Sequence, residues 1–440
     1  MAARRPDLLF IVADDLGYAD LGCYGGRDAA FGPVSPHIDA LAAGGLRFTQ
    51  GYANSPVCSP TRFALMTGRW QYRLRGAAEE PINSRSRGST TLGLPPEHPT
   101  LPSLLKAAGY RTALVGKWHL GYPPHFGPLK SGYDEFYGPM SGGVDYFRHV
   151  ASTGAHDLWE GEAETQDIGY LTDLLSERAV RVVQRCGSDP RPLLLSLHYT
   201  APHWPWETRD DAAEAERIGA RLFHLDGGSI HTYRRMIHHM DEGIGRVVEA
   251  LRAAGRLENT LIVFTSDNGG ERFSDNWPLV GGKMDLTEGG IRVPWVAHWP
   301  ARIAPGGVSA QHCLTMDWTA TMLDAAGVAP HAGWPLDGVS LAPVLDDPAA
   351  CFARPMFWRM NHRGQRAHRD GRWKYLRVDG HDYLFDLEAD ERERANQAAR
   401  DPARLDAMRA AWEAWNATMP SIPGDATVSL GYGVADMPQR

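Results

Sequence analysis

The chain has 440 residues, of which 43% are hydrophobic and 22% are charged, a composition typical of a soluble globular protein with a large core and room for two domains. Its 45 lysines and arginines against 53 aspartates and glutamates give a net charge of −8 with histidine neutral. This balance argues against a general nucleic-acid-binding or anionic-membrane surface. The five cysteines have no Cys-x-x-Cys spacing, so we expect neither a disulfide framework nor a zinc finger.

The N-terminal segment resembles a signal peptide without matching one. Arg4 and Arg5 precede the apolar run 8–13, but the run is too short and ends in Asp14 and Asp15 rather than in a cleavage site. No apolar run approaches the length of a membrane span. We therefore expect a cytoplasmic protein that does not contact membranes, although an exported protein lacking its leader would present the same sequence.

The run 8–13 is continuous and rich in β formers, which is typical of a parallel strand buried on both faces. Asp14 and Asp15 follow its C-terminal end, where open α/β sheets bind ligands. Two adjacent carboxylates repel each other unless a cation or a proton neutralises them. The pair therefore indicates a hard divalent cation, and one capping Asp beside one solvated Asp is the alternative.

A cysteine, a proline and an arginine are spaced Cys58-x-Pro60-x-Arg62 just before a short apolar run. Ser59 is a suitable N-cap and Pro60 suits the first helical position, so the segment predicts a turn that opens a helix. Cys58 would then lie at a helix N-terminus, where backbone amides favour an anion, with Arg62 one turn further on. A buried structural cysteine at a strand–helix corner is the alternative.

Two further predicted strands end in residues that bind anions or transfer protons. Strand 110–115 leads to Lys117 and His119, which would share a face on extended backbone. Lysine suits a sulfate or phosphate oxygen and histidine transfers protons near neutral pH, while an exposed lysine and a packed histidine are the alternative. Strand 193–199 leads to His203, which lies between two prolines and suits a general acid.

The strand over 261–266, predicted as the last clear core strand, ends in Asp267 and Asn268. These residues supply two more oxygen ligands at a strand's C-terminal end. Together with Asp14 and Asp15 they form an all-oxygen set, which indicates Ca²⁺ or Mg²⁺ rather than zinc or copper.

The remaining pattern predicts helices, short strands and one irregular region over the site, at 121–165. Helices are predicted over 35–45, 100–109, 170–186 and 233–254, from after Trp318 to about Ala326, and over 401–419. Short strands are predicted over 46–49 and, as an antiparallel meander, over 355–360, 365–369, 373–378 and 382–386.

Several of these segments resemble the signatures of the type I, formylglycine-dependent sulfatases of the alkaline-phosphatase-like superfamily. They are Asp14-Asp15-Leu16-Gly17-Tyr18, Cys58-x-Pro60-x-Arg62 with Thr67-Gly68, Gly109-Tyr110-x-Thr112-x-x-x-Gly116-Lys117-Trp118-His119, Ala201-Pro202-His203 and 288–294. Lys283 precedes the last of these, where the family has a sulfate-binding lysine. The segment 382–387 and Asn396 resemble the family's small C-terminal subdomain.

The resemblance implies an arylsulfatase-like α/β fold, with a mostly parallel sheet flanked by helices. It also implies a catalytic domain over 1–345 and a small C-terminal α+β subdomain with an extended tail over 346–440. The function it implies is hydrolysis of a sulfate monoester, on an aryl group, a small molecule or a glycan. An oligomer is left open.

The resemblance also implies that a formylglycine-generating enzyme oxidises Cys58 to an aldehyde whose hydrate is the nucleophile. Ca²⁺, with Mg²⁺ or Mn²⁺ as alternatives, would be held by Asp14, Asp15, Asp267, Asn268 and modified Cys58. The catalytic set would be Cys58, Arg62, Lys117, His119, His203 and Lys283. In that set Arg62, Lys117 and Lys283 stabilise sulfuryl charge.

The remaining roles are proton transfers. Asp267 would accept the proton of the attacking hydroxyl. His203, with or without Lys283, would protonate the departing alcohol, and His119 would remove the second hydroxyl proton as sulfate leaves.

Two alternatives stay open at this point. A phosphonate monoester or phosphodiester hydrolase of the same superfamily would share the nucleophile and the metal site. A catalytically silent, ligand-binding relative would show a broken constellation, and no member of the set is missing from the sequence. Residues that flank the motifs are candidate substrate contacts: Trp204, Trp206, Arg272, Asp275 and Trp277.

Overall fold

The computed structural model describes residues 4–26, 32–75, 81–187, 189–224 and 226–426. Its α-helices are Pro36–Ala43, Cys58–Thr67, Leu101–Ala107, Leu171–Arg185, Ala212–Ile218, Ile230–Ala253, Glu288–Ile291, Thr315–Ala325, Ala342–Asp346 and Pro402–Asn416. Strands β1 to β16 are Asp7–Ala13, Leu46–Phe48, Gly51–Tyr52, Arg111–Gly116, Glu135–Gly138, Trp159–Glu160, Ala163–Glu164, Leu193–His198, Thr260–Ser266, Trp295–His298, Gly307–Ser309, Cys313–Leu314, Met356–Met360, Gln365–Asp370, Trp373–Val378 and His381–Asp386. Within these ranges no helix combines the length and the apolar character that crossing a membrane requires.

The main sheet has ten strands in the order β11-β2-β10-β9-β1-β8-β4-β5-β6-β7. Strands β9, β1, β8, β4 and β5 run parallel to one another. Strand β10 joins this block antiparallel to β9, and β6 joins it antiparallel to β5. The predicted mostly parallel α/β fold is therefore confirmed.

Strand β1 is buried on both faces, as its apolar run predicts. Leu9 and Ile11 pack into the core that contains the helices Leu171–Arg185 and Ile230–Ala253. Leu8 and Phe10 pack into the core on the opposite face, with Leu105 and Met322. Because successive strand side chains point to opposite faces, one continuous apolar run fills both cores.

The C-terminal part forms a four-stranded antiparallel sheet in the order β13-β14-β15-β16, as predicted. Trp358 of β13 packs against Tyr52 with the two rings tilted by 53°, and its indole nitrogen donates a hydrogen bond to the carbonyl oxygen of Ala53, at 2.9 Å. Met356, Trp358 and Tyr52 belong to one hydrophobic cluster that also includes Met284. The small sheet thus shares a core with the main body, and the boundary at residue 345 stays a prediction.

Three local expectations were wrong. The helix begins at Cys58 itself and Val57 is its N-cap, so Ser59 and Pro60 are its second and third residues. Ser59 instead accepts a hydrogen bond at its Oγ from the amide of Ile82, at 2.9 Å. The residue at which a helix begins depends on the path of the preceding strand and loop, which the local sequence pattern does not show.

The other two corrections concern strands. The region 121–165 is not only loop, because it contains β5, β6 and β7. Nor is β9 the last core strand, because β10 pairs with it. These strands have two to four residues, too few for a period of two to be recognised.

A buried ionic cluster joins the small sheet to the main body. The Nζ of Lys374 lies 2.9 Å from Oε1 of Glu288 and 2.8 Å from Oε1 of Glu393. Glu288 also accepts a hydrogen bond at Oε2 from the hydroxyl of Tyr52, at 2.6 Å. All of these side chains are essentially excluded from solvent, so each charge depends on its partners.

We expect Lys374→Ala to lower the free energy of unfolding by about 3 kcal/mol, because Glu393 and Glu288 both lose a buried cation, while Arg369, 3.3 Å from Glu288, still partly neutralises that carboxylate. The measurement is urea-induced unfolding of the purified protein. Lys106→Ala is the control, since Lys106 is 48% exposed and pairs with Asp134 at the surface; its loss should change stability by less than about 1 kcal/mol. Equal losses in the two variants would contradict this account of the cluster.

Candidate active site

The predicted site residues converge because their strands are neighbours. Strands β9, β1, β8 and β4 are adjacent and parallel, so their carboxyl ends lie at one edge of the sheet. The residues that follow these ends are buried there: Asp14, Asp15, Lys117, His119, His203, Asp267 and Asn268. The helix Cys58–Thr67 brings Cys58 and Arg62 to the same edge, where both are buried.

An acidic cluster lies at the centre of this group. Ligand atoms of Asp14, Asp15, Cys58 and His203 lie within 4.8 Å of one another. The amide nitrogen of Asp15 donates a hydrogen bond to Oδ1 of Asp267 at 3.3 Å, which brings the third aspartate alongside. Within the described residues these groups could hold one metal ion.

Two oxygen atoms make this cluster suited to a cation. Oδ1 of Asp14 and Oδ1 of Asn268 are buried and accept no hydrogen bond from any described residue. The side-chain nitrogen of Asn268 donates to Oδ1 of Asp15 at 2.7 Å, so the amide is oriented with its oxygen free. Buried oxygen atoms without donors are expected where a hard cation binds.

Each aspartate of the cluster also contacts at least one basic side chain. Lys117 Nζ lies 2.5 Å from Oδ2 of Asp14, and Lys283 Nζ lies 2.6 Å from Oδ2 of Asp15. The Nε of Arg62 donates to Oδ2 of Asp267 at 3.0 Å. The three predicted anion-binding cations are therefore placed around the acidic cluster rather than dispersed on the surface.

The charges of the site shift the pKa values of the acids in opposite directions. Burial alone would raise the pKa of Asp15, but Lys283, His203 and Lys117 outweigh it and lower the pKa to about 2. Burial and the neighbouring Asp14 raise the pKa of Asp267 to about 7, against Arg62 and Lys117. Burial also raises the pKa of the Cys58 thiol more than Lys117 and Lys283 lower it. The N-terminal position in the helix therefore does not make Cys58 a thiolate, and an unmodified thiol is a weak nucleophile here.

Both histidines are held in single orientations. His119 Nε2 lies 2.8 Å from the carbonyl oxygen of Ile82, and His203 Nδ1 lies 2.6 Å from that of Trp204. Burial, then Lys117, lowers the pKa of His119, and burial, then Lys283, lowers the pKa of His203 to about 3. Both rings are thus neutral without a bound anion, whose negative charge would raise their pKa values.

The backbone of the site departs from regular geometry at three non-glycine residues. Asp15, His119 and Met284 have φ values of 63°, 57° and 78°. Gly116 also has positive φ, and a Cβ there would collide with the carbonyl oxygen of His198. The expectation that Lys117 and His119 lie on extended backbone is therefore wrong, and left-handed residues of this kind are common at functional sites.

A cavity of about 350 Å³ opens onto Cys58, His119, His203 and Lys283. Among the residues that the structure describes, the rest of its lining contains no aspartate or glutamate, and is Pro81, Ile82, Asn83, Ser84, Gly142, Gly143, Ser152, Trp204, Ala220, Arg221, Leu222, Phe223 and Met284. Of the predicted flanking contacts, only Trp204 lines it. Gly142, Gly143 and Ser152 come from the irregular region 121–165 that the sequence predicts over the site, whereas most of the other lining residues lie in segments without a recognised motif.

The other four predicted flanking contacts, Trp206, Arg272, Asp275 and Trp277, lie outside this lining. Arg272 packs over the ring of Trp206, with its guanidinium carbon 5.0 Å from the ring centroid. Trp277 is 60% exposed. Arg272 and Trp277 are close in sequence to a motif, but neither lies in the cavity wall.

A cavity that opens onto a buried cysteine, a lysine and two histidines, next to a buried cluster of carboxylates, forms a site suited to hydrolysis of a tetrahedral anionic ester, and the comparisons with known proteins agree with it. The sulfatase family model matches residues 6–328. N-acetylgalactosamine-6-sulfatase of Canis lupus familiaris is 32% identical over 78% of this chain and 66% of its own length. Arylsulfatase A of Homo sapiens is 34% identical over 84% of this chain and 75% of its own.

A solved structure described as Ps i-CgsB in complex with k-i-k-neocarrahexaose is 32% identical, with a TM-score of 0.82 and coverage of 93% of this chain and 92% of that one. The chain belongs to the sulfatase family, within the alkaline-phosphatase-like superfamily, and its enzyme class is that of the sulfuric ester hydrolases.

Sequence reasoning missed one buried acid close to the site. Glu207 is fully buried, and its Oε2 accepts a hydrogen bond from the amide of Tyr146 at 2.8 Å, whereas Oε1 has no partner among the described residues. Tyr146 in turn donates from its hydroxyl to the carbonyl oxygen of His203, at 3.0 Å. Burial raises the pKa of Glu207 to about 8.

This shift makes stability depend on pH. Between the ordinary glutamate value of 4.5 and about 8, the folded protein keeps a proton on Glu207 that the unfolded chain has lost, so stability falls as pH rises through this window. Glutamine is neutral at every pH. We therefore expect the free energy of unfolding of Glu207→Gln, taken relative to that of the parent, to increase by about 3–4 kcal/mol from pH 5 to pH 8. Urea unfolding of both proteins at the two pH values measures this. Glu216→Gln removes an exposed carboxylate and is the control. If the difference in the free energy of unfolding between Glu207→Gln and the parent is the same at both pH values, the prediction is wrong.

Proposed function

We propose that this sulfatase hydrolyses a sulfate monoester of a sugar or an aromatic alcohol, using Cys58 oxidised to formylglycine together with a bound divalent metal ion. The observation that carries the proposal is the position of Cys58. It lines the cavity and its sulfur lies within 4.8 Å of ligand atoms of Asp14 and Asp15. A formylglycine-generating enzyme would be the required maturation partner.

The metal ligands we propose are Asp14, Asp15, Asp267 and Asn268, with modified Cys58. The all-oxygen donor set and the free oxygen atoms of Asp14 and Asn268 fit Ca²⁺, with Mg²⁺ or Mn²⁺ as alternatives. A metal bound there would supply Lewis-acid polarisation of a sulfate oxygen and would favour ionisation of the nucleophilic hydroxyl.

The protein's own cations would hold the sulfate. Lys117, Lys283 and Arg62 are preorganised around the acidic cluster, where they would stabilise charge that develops on the sulfuryl oxygens. Asp267 would accept the proton of the attacking hydroxyl. With its pKa raised by the bound sulfate, His203 would carry the proton that it donates to the departing oxygen, and His119 would accept the proton released when sulfate leaves.

The cavity walls support a sugar or an aryl group as the rest of the substrate. Trp204 offers an aromatic wall, and its indole nitrogen donates to Oε2 of Glu271 at 3.1 Å, which fixes the ring. Asn83, Ser84 and Ser152 add polar side chains to the lining. The names of two relatives, an N-acetylgalactosamine-6-sulfatase and an arylsulfatase, agree with these two substrate classes.

Phosphonate monoester or phosphodiester hydrolysis is the competing activity, because it would use the same nucleophile, cations and metal ligands. A paired assay separates the two. The protein, produced together with a formylglycine-generating enzyme, is compared on an aryl sulfate and an aryl phosphonate monoester by kcat/KM. Preference for the sulfate supports the proposal, and preference for the phosphonate overturns its substrate while keeping the residues.

We expect Cys58→Ala to abolish hydrolysis of the aryl sulfate, because the nucleophile is lost. Turnover is measured on protein produced with the maturation enzyme, and mass spectrometry of the tryptic peptide reports conversion of the thiol to the aldehyde. Cys351→Ala is the control, since Cys351 is an exposed free thiol. A Cys58→Ala protein that keeps most of its activity would disprove the proposed nucleophile.

The position of Arg221 in the cavity wall predicts that the enzyme prefers substrates that carry a second negative charge. It is exposed, it lines the cavity, and no carboxylate pairs with it in the described part of the chain. We expect Arg221→Gln to lower kcat/KM about tenfold for a sugar that carries a second sulfate or a carboxylate, and to leave a singly sulfated sugar unchanged. Arg217→Gln is the control, because Arg217 pairs with Glu214 and Asp226 instead. An equal effect on both sugars would rule out this role.

A further inference from the structure

The loop that carries Lys283 is held by a side chain of the C-terminal sheet. Gln365, the first residue of β14, is 2% exposed. Its Oε1 accepts a hydrogen bond from the amide of Leu286 at 2.9 Å, and its Nε2 donates to the carbonyl oxygen of Met284 at 2.8 Å. One side chain thus satisfies two backbone groups just beyond Lys283.

The backbone held in this way is strained. Met284 has a φ of 78°, a region that side chains rarely adopt, and its amide donates to the carbonyl oxygen of Pro56 at 3.0 Å. Pro56 lies two residues before Cys58. Such a conformation persists only where its surroundings impose it, and here Gln365 and Pro56 are the hydrogen-bonding partners that do so.

The orientation of Lys283 depends on this backbone. Its Nζ lies 2.6 Å from Oδ2 of Asp15 and 3.8 Å from Oε2 of Glu271, and its side chain is 8% exposed. A lysine has four rotatable side-chain bonds, so a change in the direction of its Cα–Cβ bond is transmitted to the ammonium group unless the rotamers compensate.

We propose that Gln365 is a positioning residue for Lys283, and that the C-terminal sheet thereby forms part of the catalytic apparatus. The inference rests on the proposed function only in the role given to Lys283. Loss of the Gln365 amide leaves the Met284 carbonyl and the Leu286 amide unpaired, and the loop relaxes from its strained conformation. Lys283 then no longer meets the sulfuryl group in the geometry that stabilises its charge.

The chain offers a matched control for this side chain. Gln311 is also 2% exposed, and it also clamps backbone through both ends of its amide. Its Oε1 accepts from the amide of Phe352 at 2.8 Å and its Nε2 donates to the carbonyl oxygen of Phe352 at 3.1 Å. Neither bond reaches the loop of Lys283. Replacing Gln311 therefore removes comparable buried hydrogen bonds to the backbone without changing the loop that orients Lys283.

The first test is a double-mutant cycle on an aryl sulfate, with kcat/KM as the readout. We expect Gln365→Ala to lower kcat/KM about tenfold in the parent and less than about twofold in the Lys283→Ala background, because coupled residues are not additive. Gln311→Ala should lower the melting temperature similarly and leave kcat/KM within about twofold. Equal losses in both backgrounds, or an equal loss from Gln311→Ala, would overturn the proposal. If Gln365→Ala does not fold, Gln365→Met replaces it, since methionine fills the space without the amide.

The second test does not depend on activity. Hydrogen exchange of the segment 281–287 should become about tenfold faster in Gln365→Ala and stay unchanged in Gln311→Ala. Unchanged exchange in Gln365→Ala would show that Gln365 does not hold this backbone, and it would overturn the proposal even if activity falls. A protein that hydrolyses no sulfate ester, or a Lys283→Ala variant with full activity, would instead refute the proposed function. The exchange result would still test whether the Gln365 side chain holds the backbone next to Lys283.

Discussion

Three buried carboxylates at the edge of the main sheet each face one buried cation, and the rest of the site depends on this balance. Asp14 meets Lys117, Asp15 meets Lys283 and Asp267 meets Arg62. A buried charge without a partner destabilises a protein by several kcal/mol. The partners come from different parts of the chain, so the charges can be neutralised only when the sheet, the helix Cys58–Thr67 and the Lys283 loop are all in place.

The same balance accounts for the chemistry that the site supports. The cations that neutralise the acids are also the groups that we propose to hold the sulfate, and the oxygen atoms left without donors are the ones that suit a metal ion. Burial keeps the Cys58 thiol protonated, which makes the unmodified side chain a weak nucleophile and is consistent with a requirement for its oxidation. Burial, which outweighs the effect of Lys117 and Lys283 on the thiol, thus disfavours the thiolate chemistry of an unmodified cysteine.

The C-terminal sheet contributes more than stability. Trp358 shares a core with Tyr52, Lys374 neutralises Glu288, and Gln365 holds the backbone next to Lys283. Glu288 is the first residue of the short helix Glu288–Ile291, which follows the Lys283 loop. The small sheet and the active-site loop are therefore one packed unit, even though the sequence pattern changes sharply between them.

The sequence by itself determined the parallel sheet, the antiparallel C-terminal sheet and the identity of the charged residues at the strand ends. It could do so because long apolar runs specify buried strands, and ligands in such sheets lie at the carboxyl edge. Only the tertiary structure decided that Cys58 begins its helix, that Trp204 and Arg221 line the cavity while Arg272 does not, and that Gln365 reaches Met284. These are contacts between segments far apart in the chain, set by packing and by left-handed backbone at single residues, and no local pattern of side chains encodes them.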